Sequence, residues 1–205
     1  MLSYALNAAR DGEPILIFSL EMSKEALVKR LTSQMSGIDL SCIMNGELTD
    51  LGLHRVNGAL REIAKLPIYI DDTSGLDLTM MRAKIMKYMR KSKIKAVFVD
   101  YLGLMRMPKA GSREQEVAQT TGKLKAMAKE FNIPIVTLAQ LNRTSAQRED
   151  KRPEMSDLRE SGAIEQDADV VMLVHRPEFV GKTEYKDGSS TRNVGEILIA
   201  KQRNG

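Results

Sequence analysis

Six short aliphatic or β-branched runs, most of them separated by longer amphipathic stretches, constrain this chain more than any other feature. They are Ile15 to Leu20, Ile68 to Asp72, Ala96 to Leu102, Ile135 to Leu141, Val170 to His175 and Glu196 to Ala200. Strands that are apolar on both faces must be covered on both, and intervening helices supply that cover, which is how parallel sheets are built. The expected fold is therefore α/β, with a mostly parallel, buried central sheet flanked by helices. A chain of 205 residues is long enough for one domain with a substantial core, and one domain over 1–205 is expected.

Between the first two runs, Leu27, Leu31 and Met35 mark one helix face, with Gly37 placed as its C-cap. Leu53, Val56, Leu60 and Ile63 mark a second helix, ending before Pro67. A third is expected from about Met80 to Lys91, capped by Thr79, with Met81, Ile85 and Tyr88 inward and its many cations mostly solvated. Ser112 and Gln115 read as a capping box for a fourth, whose Val117, Leu124, Met127 and Phe131 face the core. Two stretches, Met107 to Arg113 and Asn142 to Asp157, are too polar for core elements and read as loops.

The charge balance narrows the partners. Lys plus Arg exceed Asp plus Glu by four, which permits an anionic partner but falls short of a histone-like surplus. The one cysteine, Cys42, cannot form an internal disulfide, and with His54 and His175 it shows no metal-ligand spacing. No segment approaches a membrane span or a secretory signal, so the reading is a reduced cytoplasmic protein.

Candidate chemistry gathers at the strand ends, where ligands of α/β sheets bind. Asp100 closes the apolar run Ala96-Val-Phe-Val and is a magnesium candidate, acting through a bound water; helix capping or ion pairing would also suit an acid there. Glu21, just past the first run, is a candidate general base if its strand neighbours that of Asp100; it could equally open the following helix. Gln140 carries an amide able to sense a γ-phosphate, or to sit idle on the surface. Lys201 and Arg203, two apart on a strand, project from one face. They suit either solvated cations or a finger over a neighbouring subunit's phosphate.

Taken in order, Phe18-Ser-Leu-Glu-Met22, Ile70-Asp-Asp-Thr-Ser-Gly75, Val99-Asp-Tyr-Leu102, Leu138-Ala-Gln-Leu-Asn-Arg143, the stretch Asp157 to Asp169 and Lys201-Gln-Arg-Asn-Gly205 closely resemble the C-terminal motor domain of hexameric DnaB-type replicative DNA helicases, of the RecA-like superfamily. The resemblance covers nearly the whole chain. It implies a RecA-like ATPase that moves along single-stranded DNA as a ring and unwinds duplex, hydrolysing ATP between subunits. By resemblance Glu21 is the catalytic base, Asp100 the Walker B acid for magnesium, and Gln140 the γ-phosphate sensor. Lys201 and Arg203 act in trans on the next subunit's ATP. Arg159, Glu160 and Gly162 belong to the DNA-binding loop, and main-chain amides beside a glycine can approach phosphates without reading bases. The family also implies a homo-hexamer, with primase and a helicase loader as further partners.

One family element is missing from these residues: no GxxxxGK[ST] phosphate loop occurs in the chain. The family places it, with its strand, just before Met1, and Leu2 to Arg10 resembles the helix that follows it. The collar domain and linker helix are not here either. The expectations are a fold incomplete at its N-terminus, with a sheet edge or gap, and negligible hydrolysis by this chain alone. The competing expectations are a naturally truncated module that joins helicase rings without hydrolysing ATP, and a RecA-type recombinase that coats DNA as an open filament.

Overall fold

A computed structural model describes residues 1–142, 152–158 and 162–203. The chain divides into two compact units, Met1–Arg106 with Ala126–Leu138, and Met107–Lys125 with Ala139–Gly205.

The first unit holds a four-stranded, wholly parallel sheet in the order β2-β1-β3-β4. Its strands are β1 (Ile15–Ser19), β2 (Ile68–Asp71), β3 (Ala96–Asp100) and β4 (Ile135–Thr137). Every residue of β1 is buried, as expected of a central strand covered by helices on both faces. Its large apolar side chains contribute roughly 1.5–3 kcal/mol apiece on removal from water. Ala5, Ala9, Ile15, Ile17, Leu27 and Phe98 form one core cluster. The sheet's outer strands are β2 and β4, each with one strand partner among the described residues.

Helix α1 (Leu2–Arg10) leads into β1. After it, α2 (Lys24–Ser36) starts on Ser23, whose hydroxyl accepts from the Ala26 N–H at 3.3 Å. It stops at Gly37, where φ is 69° and the N–H returns to Ser33. A left-handed turn of that kind is open to glycine at little cost. The short α3 (Leu40–Asn45) had no sequence counterpart. In α4 (Asp50–Ile63) the buried residues are Gly52, Val56 and Ala59, while Leu53 and Leu60 are 49% and 40% exposed. The buried face is thus rotated from the leucine stripe. Small residues on that face let α4 lie close to its neighbours, and a Cβ on Gly52 would come within 3.3 Å of the Thr49 hydroxyl.

Helix α5 (Leu78–Ser92) is capped by Asp77, which accepts from the Met80 N–H at 2.8 Å, and not by Thr79. Met81 and Ile85 are buried as the spacing predicts, and Tyr88 lies 5.2 Å from Tyr69, ring to ring. Helix α6 (Arg113–Phe131) starts on Ser112, which accepts from the Gln115 N–H at 3.3 Å. Gln115 reaches back one residue further than a regular capping box, to the Gly111 N–H at 3.0 Å. Val117, Leu124 and Met127 are buried and Phe131 is half-buried.

The last two strands depart from the parallel expectation. In the second unit β5 (Val170–His175) and β6 (Glu196–Gln202) pair antiparallel as a separate two-stranded sheet, with an irregularity between Val171 and Met172. Burial alternates along β5, so Val170, Met172 and Val174 lie exposed with Ile197 and Ile199. Ahead of β5, α7 (Gly162–Asp167) is tied to α6 by Thr121, which donates to Asp167 at 2.6 Å, and Lys125 pairs with Asp169. Asp157 is the last residue of a 3-10 turn, and its buried carboxylate accepts from the Glu154 N–H at 2.8 Å. It therefore closes a turn; the expected N-cap of a following helix is not its role.

Candidate functional site

In the first unit, two carboxylates meet at the C-terminal edge of the sheet. β1 and β3 are neighbours in parallel register, with Ser19 opposite Asp100. A further bond, from the Leu20 N–H to the Asp100 carbonyl at 2.8 Å, carries the pairing past the strand end. Glu21 comes next, exposed, two residues ahead of the Ser23 cap and so outside α2; the acid in the first turn of α2 is Glu25.

Three bonds fix the Glu21 turn. The buried Ser19 hydroxyl donates to the Met22 carbonyl at 2.6 Å, Ser23 caps α2, and the Lys24 N–H donates to the Asp72 carboxylate at 2.9 Å. Asp72 stands just past β2, where Asp71 and Thr73 both accept from Lys84, at 2.5 and 2.7 Å. The ends of β1, β2 and β3 are thereby joined around one turn. Sequence reading quoted the Asp71-Asp72-Thr73 motif without giving it this bracing task.

Asp100 is half-buried, and among the described residues it forms neither a helix cap nor an ion pair. Burial pushes its pKa above the ordinary carboxylate value, and the negative charge of Glu21 adds to that; the Met1 amino group and Arg30 pull the other way. Arg30, from α2, is a cation near the pair that the motifs did not single out. The peptide bond after Asp100 is cis. A carboxylate held in a site that resists its charge favours a hard divalent cation, with water and phosphate oxygens completing the coordination. The residues fit magnesium in that sense: among the described residues no group of three or more acidic, His or Cys side chains could bind an ion by itself.

The remaining predicted residues lie in the second unit. Gln140 is exposed, three residues past the end of β4. Lys201 sits in β6, opposite Val171, and Arg203 follows the strand. Both side chains reach the same place: Lys201 donates to the Glu165 carbonyl and Arg203 to the Gln166 carbonyl at 3.2 Å, at the end of α7. Arg203 also lies 3.6 Å from Asp169. Gly162 opens α7, and a Cβ there would meet nothing within 4 Å, so its backbone is open to close approach. Arg159 and Glu160 lie outside the described residues.

A family model described as "DnaB-like helicase C terminal domain" matches residues 1–205. The chain belongs to the DnaB-like helicase family. It is 42% identical over 211 residues to the replicative DNA helicase DnaB of Buchnera aphidicola subsp. Schizaphis graminum, covering 99% of this chain and 44% of that protein. To the DnaB of Mycobacterium leprae it is 44% identical over 191 residues, covering 93% of this chain and 31% of the relative. The chain thus spans under half the length of these DnaB relatives. Two solved structures superpose on all of it at a TM-score of 0.90 and 33% identity, one of them an isolated ATPase domain and the other a DnaB-like replicative helicase described with its interactions with primase. The chain fills 72% of the first and 49% of the second. The α/β core with its four parallel strands is therefore the DnaB ATPase-domain fold. Among the described residues no helix is long and apolar enough to cross a membrane.

Proposed function

We propose that residues 1–205 form the greater part of one RecA-like motor domain that acts in a homo-hexameric ring, moving along single-stranded DNA and unwinding duplex by ATP hydrolysis between subunits. The observation that carries this reading is the parallel register of Ser19 with Asp100, which sets Glu21 and Asp100 side by side at the sheet edge where such folds bind nucleotides. Magnesium, when bound, supplies positive charge against the phosphates.

Each carboxylate then has a distinct task. Half-buried Asp100 holds the cation through water. Exposed Glu21, on its braced turn, takes the proton of the attacking water at a carboxylate oxygen. Gln140 reports the γ-phosphate through its amide, and Lys201 and Arg203 place positive charge on a neighbour's nucleotide. Arg159, Glu160 and Gly162 hold the DNA backbone within the Asp157 to Asp169 segment. A cytoplasmic setting with primase and a loader follows from the same reading.

The test uses this chain extended at its N-terminus by the strand and phosphate loop of a DnaB relative. DNA-stimulated ATP turnover is expected, and Glu21→Gln should abolish it while sparing nucleotide binding. Normal turnover in that variant would remove Glu21 from the chemistry. Arg203→Ala should also be inactive, and mixing it with Glu21→Gln subunits should restore part of the activity; no rescue would refute action in trans. Images of closed rings, rather than filaments, would separate the reading from a recombinase.

A further inference from the structure

The carboxylate pair uses one edge of the parallel sheet, and the opposite edge carries a separate electrostatic feature. From Leu78 to Val99 the sequence has seven cations and no Asp or Glu. Two of them are committed within the fold: Arg82 to Glu130, at 2.5 Å, and Lys84 to Asp71. The other five, Lys87, Arg90, Lys91, Lys93 and Lys95, are exposed and form no ion pair among the described residues.

Topology places this cluster away from Glu21 and Asp100. Helix α5 starts beyond the C-terminal end of β2 and ends before the N-terminal end of β3, so its last turns lie at the far edge of the sheet. The Lys95 N–H bonds to the Pro14 carbonyl at 2.7 Å, beside the start of β1. The length of β3 separates the two features, roughly 13–17 Å at 3.3 Å per residue. A nucleotide at the carboxylates does not reach the cations.

A surface that serves solubility alone mixes charges of both signs, because like charges packed together repel. The helix C-terminus favours cations in its last turn, which accounts for Arg90 and Lys91. It does not account for Lys87, Lys93 and Lys95. Lys87, Arg90 and Lys91 share one helix face at i, i+3 and i+4, so their Cβ atoms are about 5–6 Å apart, a spacing comparable with that of successive phosphates along a strand. Ala83 and Met86 floor the shallow groove between them. The ring that could have stacked on bases, Tyr88, is turned onto Tyr69. The surface therefore offers charge to a backbone and nothing that distinguishes one base from another. The small floor also gives an acidic peptide little apolar anchorage.

We propose that the C-terminal half of α5 and the turn after it, Lys87 to Lys95, form a sequence-neutral binding track for the sugar–phosphate backbone of nucleic acid, distinct from the Asp157 to Asp169 segment. This inference uses no nucleotide and stands or falls separately from the ATPase reading.

The experiment is fluorescence anisotropy of the full chain with labelled mixed-sequence single-stranded and duplex DNA across a salt series. The variant K87E/R90E/K91E is compared with K29E/R55E/R61E, which changes net charge equally on α2 and α4. The α5 variant should bind at least roughly tenfold more weakly at moderate salt, with the slope of log affinity against log salt falling by about 2 for single strands. The control variant should keep the parent slope. A neutralised variant, K87Q/R90Q/K91Q, checked for native circular dichroism, should show the same change if charge reversal disturbs folding. Equal losses in the α5 and control variants, or an unchanged slope in the α5 variants, would overturn the proposal. So would competition by poly-glutamate as effective as unlabelled DNA, which would reassign the surface to an acidic protein.

Discussion

Replacing Lys84 by Met should destabilise the fold by about 2 kcal/mol at neutral pH, and the loss should fade in acid. The Lys84 and Asp71 side chains are 25% and 12% exposed, with 2.5 Å between Nζ and the carboxylate. Methionine keeps most of the packing of the aliphatic stem but not the ammonium. Asp71 would be left in a site that excludes most water, holding only its 3.1 Å bond from the Thr73 N–H. Stranding one partner of a fully buried pair costs about 3–5 kcal/mol, and a hydrogen bond to a charged group contributes about 1.5–3 kcal/mol. The residual exposure at both ends puts this pair in the lower range.

The pH dependence follows from the sign of the Asp71 shift. Burial pushes that carboxyl up, but hydrogen bonds from Lys84 and Thr73, with the Lys84 charge, outweigh it and hold the pKa below its ordinary value. A depressed folded pKa gives stabilisation that is present in full above the unfolded value of about 3.9 and is lost as pH falls through the folded value. Urea unfolding of the parent and Lys84→Met at pH 7 and at steps down to about pH 3 should therefore show two curves converging in acid. A penalty that is constant across that range, or below about 0.5 kcal/mol at pH 7, would refute the pairing argument.

Other expectations are simpler. Glu21→Gln removes the like charge beside Asp100, so carbon-detected NMR titration should show the Asp100 pKa fall; an unchanged value would separate the two carboxylates. Asp77→Ala should cost about 1 kcal/mol through loss of the α5 cap, whereas Thr79→Ala should be nearly neutral, and the reverse order in thermal melts would restore the sequence-based cap. Phe98→Ala, in the core cluster, should cost about 3–5 kcal/mol; a loss under 1 kcal/mol in urea unfolding would show that the sheet does not pack as described.

Local pattern revealed what is locally determined. The four parallel strands stand out because each is apolar through most of its length, and Gly37 stops α2 because little else suits φ near 69°. Helix α4 misled because its leucines are conspicuous while its contact face is made of Gly52, Val56 and Ala59; an apolar stripe does not show where small residues let another helix approach. β5 misled for a different reason. Val170 to His175 is apolar at five of six positions and reads as a strand covered on both faces, yet its partner is chosen by pairing with β6, which is non-local. In the candidate site, Glu21 and Asp100 were legible as acids at strand ends, and their adjacency required the strand order. Asp72 was not legible as a brace, since its bond runs to the Lys24 N–H, 48 residues away in sequence.

The placement of Lys201 and Arg203 has an energetic corollary. Their donors complete the carbonyls of Glu165 and Gln166, groups that a helix end otherwise leaves to water. An anion that draws both cations away must first compete with α7, and α7 then loses two of its supports. By thermodynamic linkage the converse holds equally: a ligand that tightens α7 with these bonds in place keeps the cations home, and one that loosens it sets them free. Cations at a helix end contribute about 0.3–1 kcal/mol each, so the exchange amounts to a several-fold bias between the two arrangements. Such a bias is small enough to be reversed in every cycle and large enough to make the order of events matter.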